Sequence, residues 1–117
     1  MGKSRHFSED AVASFLSSQH YVILDRNIVF PGGEVDIVAE KKQQLVFIEV
    51  KYRKYFDAAE AFDLRKFQRI WNCAYLYTRG ERSFRVDLFA CGPKETFWYK
   101  GVREDGCCDS MERVNLW

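Results

Sequence analysis

Three residues of this chain have the types and spacing for chemistry: Glu49 and Lys51, two apart in an apolar run, and Asp36 in the preceding segment Gly33-Glu34-Val35-Asp36. Alternate side chains of a strand share a face, so Glu49 and Lys51 point the same way, as do Glu34 and Asp36 on theirs. If the two strands pair through the short polar turn Lys41 to Gln43, acids of one face an acid and an amine of the other. An ionised carboxylate following Phe47 and Ile48 in a central strand requires a partner, and a divalent cation would offset the repulsion between Asp36 and Glu49. Mg²⁺ suits this role because it takes oxygen ligands at about 2.0–2.1 Å and completes its shell with water and substrate phosphate, and Mn²⁺ is its natural substitute. The cation would activate a water and neutralise charge on phosphodiester oxygens, while Lys51 orients the nucleophile or stabilises the transition-state charge. The chemistry that fits is metal-assisted phosphodiester hydrolysis. Glu-x-Lys alone is an ordinary surface ion pair, and it is Gly-Glu-x-Asp at hairpin distance that makes the set specific.

The surrounding pattern supplies the elements that must hold these groups. Ser8 reads as a helix cap with Glu9 and Asp10 at the positive end of the dipole, and Ala11, Val12, Phe15, Leu16 and Gln19 fall on one face of a helix running to about Gln19. Glu9 is also a candidate fourth member of the acid set. Val22 to Phe30 reads as a strand, Pro31-Gly32-Gly33 as a turn, and Glu34 to Glu40 as the second strand. Gln44 to Tyr52 is the third, its apolar run Leu45 to Ile48 implying burial on both faces, so the three form a meander. After a loop around Arg53 to Ala61, Asp63 to Thr78 carries Leu64, Phe67, Trp71, Ala74 and Tyr75 at helical spacing and is stopped by Gly80. Ser83 to Cys91 and Thr96 to Tyr99 complete an α/β chain of order α-β-β-β-α-β-β. Beyond Gly101 the segment is weakly patterned, with Val114, Leu116 and Trp117 able to pack back on the body.

With 117 residues, 47% hydrophobic and 16% aromatic, the chain reads as one domain, 1–117, with 101–117 as a C-terminal extension. No apolar run approaches the roughly 18 residues that would cross a membrane, and the polar start lacks a signal-peptide core, which reads as cytoplasmic. The net charge of +1 is not that of a dedicated nucleic-acid binder. Its distribution is more telling, with six bases against three acids between Lys51 and Arg69 and with Tyr52, Tyr55 and Phe56 interleaved. Tyr52, Arg53, Lys54, Lys66 and Arg69 are accordingly the expected contacts to a phosphate backbone and its bases. Tyr52, Tyr55, Phe56, Trp98 and Trp117 also form an aromatic set open to a protein partner. Cys73 and Cys91 read as small core residues and the adjacent Cys107 and Cys108 as exposed thiols, because no metal-type spacing joins the four.

The segments Ser8-Glu9-Asp10-Ala11, Tyr21-Val22-Ile23-Leu24, Arg26-Asn27, Gly33 to Ala39 and Phe47 to Arg53 closely resemble the bacterial YraN-type family. That family is assigned to the restriction-endonuclease-like PD-(D/E)xK superfamily and is similar to archaeal Holliday junction resolvases. The resemblance runs from about Phe7 to Ala90. It implies a restriction-endonuclease-like core, a mixed central β-sheet flanked by two main helices. It also implies that Asp36 and Glu49, with Glu9, are metal-binding acids and that Lys51 is the catalytic lysine. Lys66 resembles the basic position of the second helix, and Arg85 to Asp87 stand where the family has Arg-Phe-Asp, with Val86 for the phenylalanine. The function expected is a Mg²⁺-dependent nuclease of endonuclease type acting on DNA, branched or otherwise structured DNA being the substrate class. A homodimer would place two sites on one substrate. The alternative is a non-catalytic or partner-dependent DNA-binding module that retains the nuclease fold.

Overall fold

Two tight turns set the geometry of the sheet. Pro31 followed by Gly32 at φ +89° has the sequence and conformation of a type II turn, and it closes Phe30 onto Gly33. Lys42 and Gln43 both adopt positive φ, 50° and 67°, as a two-residue hairpin turn requires when it matches the strand twist. A computed structural model of the chain describes residues 5–54 and 63–117, with side chains from residue 7 onward. In it β1 (Val22–Phe30), β2 (Gly33–Lys41) and β3 (Gln44–Tyr52) form the expected antiparallel meander. The connection through α2 (Leu64–Thr78) makes β4 (Phe84–Cys91) parallel to β3, in register from Leu45 opposite Phe84 to Tyr52 opposite Cys91. β5 (Thr96–Lys100) and β6 (Ser110–Val114) add antiparallel strands, giving a mixed sheet in the order β1-β2-β3-β4-β5-β6.

Helix α1 (Arg5–Ser18) covers one face of this sheet and α2 the other. Val12 and Leu16 pack on Ile37, Ile48, Val50 and Phe89, whereas Ile70, Cys73 and Ala74 pack on Val38, Leu45 and Phe47. β3 is therefore buried on both sides from Leu45 to Val50, as its continuous apolar run requires. Any charge in that stretch lies in the middle of the protein.

Four details differ from the sequence expectation. Ser8 does not cap α1, which begins at Arg5; Ser8 lies inside the helix and is fully buried. The extra residues are stabilised by a contact no local pattern contains, Phe7 against the ring of Trp117 at 5.5 Å. Strand β6 was not expected, because Ser110 to Arg113 are all exposed on a sheet edge and show no alternation of apolar and polar residues. Trp98 is not available to a partner: it is 2% exposed, stacks on Phe89 at 5.0 Å and donates its indole N–H to Asp87. Cys107 is exposed as expected, but Cys108 is half-buried.

Other expectations hold. Helix α2 ends at Thr78 as expected, and Asp63, read as its first residue, is its cap, the carboxylate accepting from the amides of Arg65 and Lys66. Cys73 and Cys91 are buried. Val114, Leu116 and Trp117 pack back on the α1-side core, and the Trp117 indole donates to the Pro93 carbonyl. Tyr55 and Phe56 lie outside the described residues.

Candidate active site

β2 and β3 pair from Lys41 opposite Gln44 up to Ile37 opposite Ile48, and beyond that point the ladder stops. The Val50 amide, which continued pairing would have given to β2 backbone, donates instead to Asp36 Oδ2 at 2.8 Å. That single bond fixes the Asp36 carboxylate beside the next α2-facing residue of β3, Glu49. The two acids are 1% and 4% exposed. Glu49 is also hydrogen-bonded to Asp36, and burial followed by repulsion from Asp36 pushes its pKa from an ordinary 4.5 up to about 7, against the lowering effect of Lys66. At neutral pH the pair therefore holds one proton part of the time.

Lys66 comes from the first turn of α2, where the Asp63 cap sets the start of the helix, and its Nζ lies 2.6 Å from Glu49 Oε1. Lys51, two residues along β3 from Glu49, is half-buried. Burial, then the positive charges of Lys66 and Arg53, lower its pKa, with Asp63 and Glu49 opposing. Glu49, Lys51, Lys66, Phe67, Val86 and Val102 line a small cleft of about 30 Å³ over this end of the sheet. An amine held near the Glu49 carboxylate, with a second amine bonded to that carboxylate, can orient a nucleophile and stabilise charge developing on a phosphate.

Gly33 serves this geometry by close approach rather than by chemistry. A Cβ there would lie 2.9 Å from both the Cβ and the carbonyl oxygen of Arg69, so the β1–β2 hairpin reaches α2 only because residue 33 has no side chain. The hairpin and α2 are the two elements that carry Asp36 and Lys66.

The remaining expected residues fall in separate places. Glu34 is exposed although it shares strand parity with Asp36. Glu9 is fully buried in α1, on the opposite face of the sheet from α2. Tyr52 turns to the α1 side, where its ring lies 6.4 Å from that of Trp117. Arg53 and Lys54 are exposed just beyond Lys51, the guanidinium of Arg53 donating to the Tyr52 carbonyl. Arg69 is exposed on α2. The Arg85-Val86-Asp87 segment is structural: the fully buried Asp87 carboxylate accepts two bonds from Arg85, one from the Trp98 indole and one from the Gly101 amide, while Arg85 also donates to the Tyr21 hydroxyl. Sequence reasoning had assigned Lys66 to substrate phosphates and missed its contact with Glu49. Its position three residues after a helix-capping Asp63 placed it in the first turn, but only the crossover decides which strand that turn faces.

The family described as Uncharacterised protein family UPF0102 matches residues 8–91. The chain belongs to this family. It is 36% identical over 101 residues to a UPF0102 protein of Fusobacterium nucleatum, covering 80% of this chain and 85% of the relative. To a UPF0102 protein of Aquifex aeolicus it is 36% identical over 100 residues, covering 86% and 95%. Among solved structures this UPF0102 chain is similar to Hjc, a Holliday junction resolvase of Archaeoglobus fulgidus, with a TM-score of 0.52 and 17% identity over 92% of this chain and 85% of that one. At that identity the likeness shows a shared α/β fold, the mixed sheet flanked by two helices expected from the sequence. The match to UPF0102 contains every group of the carboxylate and lysine cluster.

Proposed function

We propose that this UPF0102 protein is a Mg²⁺-dependent nuclease that hydrolyses DNA phosphodiesters, with branched or otherwise structured DNA as its substrate class. The observation that carries this reading is the Asp36–Glu49 pair, two carboxylates buried side by side in the centre of a nuclease-like fold and sharing a hydrogen bond. Such a pair is costly to bury for stability alone, and its donor chemistry fits a hard divalent cation, which would replace the shared proton. In this reading Asp36 and Glu49 would be the protein's two ligands, and oxygens of water and substrate would supply the rest. Glu9, buried in α1 on the other face of the sheet, is not among these ligands.

When bound, the metal supplies a water nucleophile active at neutral pH and neutralises charge on the phosphate. The chain's own groups do the rest. The Val50 amide keeps Asp36 in place, Lys51 orients the nucleophile against the scissile phosphate, and Lys66 leaves Glu49 to meet the substrate's negative charge. Arg53, Lys54 and Arg69 hold the flanking backbone. The fold likeness to a Holliday junction resolvase supports DNA as the partner, and a homodimer would place two sites on one substrate.

One observation favours a non-catalytic DNA-binding module instead: the Lys66 ammonium already sits on Glu49, where a cation is needed. Cleavage of labelled four-way junction, duplex and single-stranded DNA in Mg²⁺ or Mn²⁺ separates the two readings. Wild type is expected to cut one of these, and Asp36→Ala, Glu49→Ala and Lys51→Ala to cut none. Cleavage unaffected by the first three substitutions refutes the nuclease reading at this site. Salt-sensitive binding with no metal-dependent product establishes the module.

A further inference from the structure

Helix α2 has a second property that the carboxylate site does not use. From Leu64 to Gly80 it contains no acid, while Arg65 and Arg69 are exposed on one flank and Leu64, Trp71 and Tyr75 on the other. Trp71 and Tyr75, one turn apart, are 41% and 50% exposed and stacked on each other, with ring centroids 5.6 Å apart and planes 14° from parallel. Two large aromatic rings rarely stay half in water without a reason.

The pair is also fixed in place. Trp71 sets its edge against Phe84 at 5.7 Å, and Tyr75 lies over Gly80, where a Cβ would come within 2.9 Å of its ring. Gly80, at φ +67°, therefore leaves room for the tyrosine as well as ending the helix. Rings held this way lose little entropy when something stacks on them.

Trp71 lines a cleft of about 570 Å³ with Phe67, Gln68, Val86 and Val102. Phe67, Val86 and Val102 also line the small cleft over Glu49 and Lys51, so the two clefts are neighbours that share these side chains. Trp71 stands roughly 7.5 Å along the helix and about 140° around it from Lys66, so a strand with a phosphate at Lys66 would cross the shared side chains to reach Trp71. A base-sized, flat and apolar group carried past them would meet the Trp71–Tyr75 stack. The basic flank of α2, free of acids, suits the backbone of that same strand.

We propose that Trp71 and Tyr75 form a stacking platform for an unpaired base flanking the scissile phosphate. The platform selects DNA whose strand is open beside the cut over continuous duplex. This inference rests on the reading of the site as a DNA-acting one.

Binding is measured by fluorescence anisotropy in EDTA, so that cleavage does not enter, with a labelled single-stranded oligonucleotide and a blunt duplex of equal length at low salt. Trp71→Ala and Tyr75→Ala are each expected to weaken single-strand binding about 5- to 150-fold, the effect of losing one stacked base, and duplex binding less than about 2-fold. Trp71→Phe, which keeps a stacking face, is expected to recover most of the loss. Circular dichroism melts identify folded variants; should Trp71→Ala unfold through loss of its Phe84 contact, Tyr75→Ala decides. Equal losses on strand and duplex, no loss on either, or a change in oligomeric state by light scattering with strand binding unchanged each overturns the platform while leaving the DNA reading intact. Wild-type protein that binds neither strand nor duplex overturns the DNA reading and the platform with it.

Discussion

Replacing Glu49 by glutamine should make this protein more stable at alkaline pH, the reverse of what losing a salt-bridged acid usually does. Lys66 lies 2.6 Å from Glu49 and favours its charged form, but burial and the Asp36 carboxylate outweigh it and hold the pKa at about 7 instead of 4.5. Between those values the native protein keeps a proton that the unfolded chain has released. The stability linked to that proton is complete below pH 4.5 and is lost as the pH rises through 7. At about 1.4 kcal/mol per pH unit, the ionised form costs about 3 kcal/mol at pH 8. Glutamine keeps the shape and the hydrogen bond to Asp36 without the charge. In EDTA, Glu49→Gln should match wild type near pH 4.5 and exceed it by about 3 kcal/mol at pH 8, roughly 10 °C in melting temperature for a chain of this size. Urea unfolding across pH 4.5–8.5 reads the difference directly. Wild type, but not Glu49→Gln, should regain stability with Mg²⁺, by about 2.7 kcal/mol at a hundredfold excess over its dissociation constant. Parallel pH curves for the two proteins, or a less stable variant at pH 8, would refute the reasoning.

Three further outcomes follow from the same geometry. Asp36→Asn keeps an acceptor for the Val50 amide and should abolish the Mg²⁺-induced rise in melting temperature while costing little stability, whereas Asp36→Leu strands that buried amide and should cost about 1–3 kcal/mol more by urea unfolding. Gly33→Ala should destabilise by about 1–3 kcal/mol, because its Cβ meets Arg69 backbone at 2.9 Å and the hairpin must retreat from α2; Mg²⁺ affinity by calorimetry should fall with it. Asp87→Ala should lower stability by about 3–5 kcal/mol, since it leaves the Arg85 guanidinium, the Trp98 indole and the Gly101 amide without their shared acceptor, yet Mg²⁺ affinity of the folded fraction should be unchanged.

Much of this protein could be read along the chain because its signals are local. The Pro31-Gly32 turn, the unbroken apolar run of β3 and the helical spacing from Leu64 to Tyr75 each act within a few residues, and each produced the element expected of it. Strand parity alone placed Glu49 and Lys51 on one face, and hairpin connectivity alone brought Asp36 toward them. Where partners are distant in sequence the same reasoning failed. α1 starts at Arg5 because Phe7 meets Trp117 from the far end of the chain, and β6 exists because β5 offers an edge, not because Ser110 to Val114 favour a strand. The site divides along the same line. Alternation and a short turn were enough to bring Asp36, Glu49 and Lys51 to one end of the sheet, but they also suggested Glu34, which is exposed, and could not place Glu9, which lies across the sheet. Only the tertiary structure decided that the β2–β3 ladder ends at Ile37 and Ile48, so that Val50 holds Asp36. It also decided that the α2 crossover sets Lys66 on Glu49 and that Asp87 is bound into the core. Those outcomes depend on where a ladder stops and which way a helix faces, and both are fixed by packing between elements that no local pattern encodes.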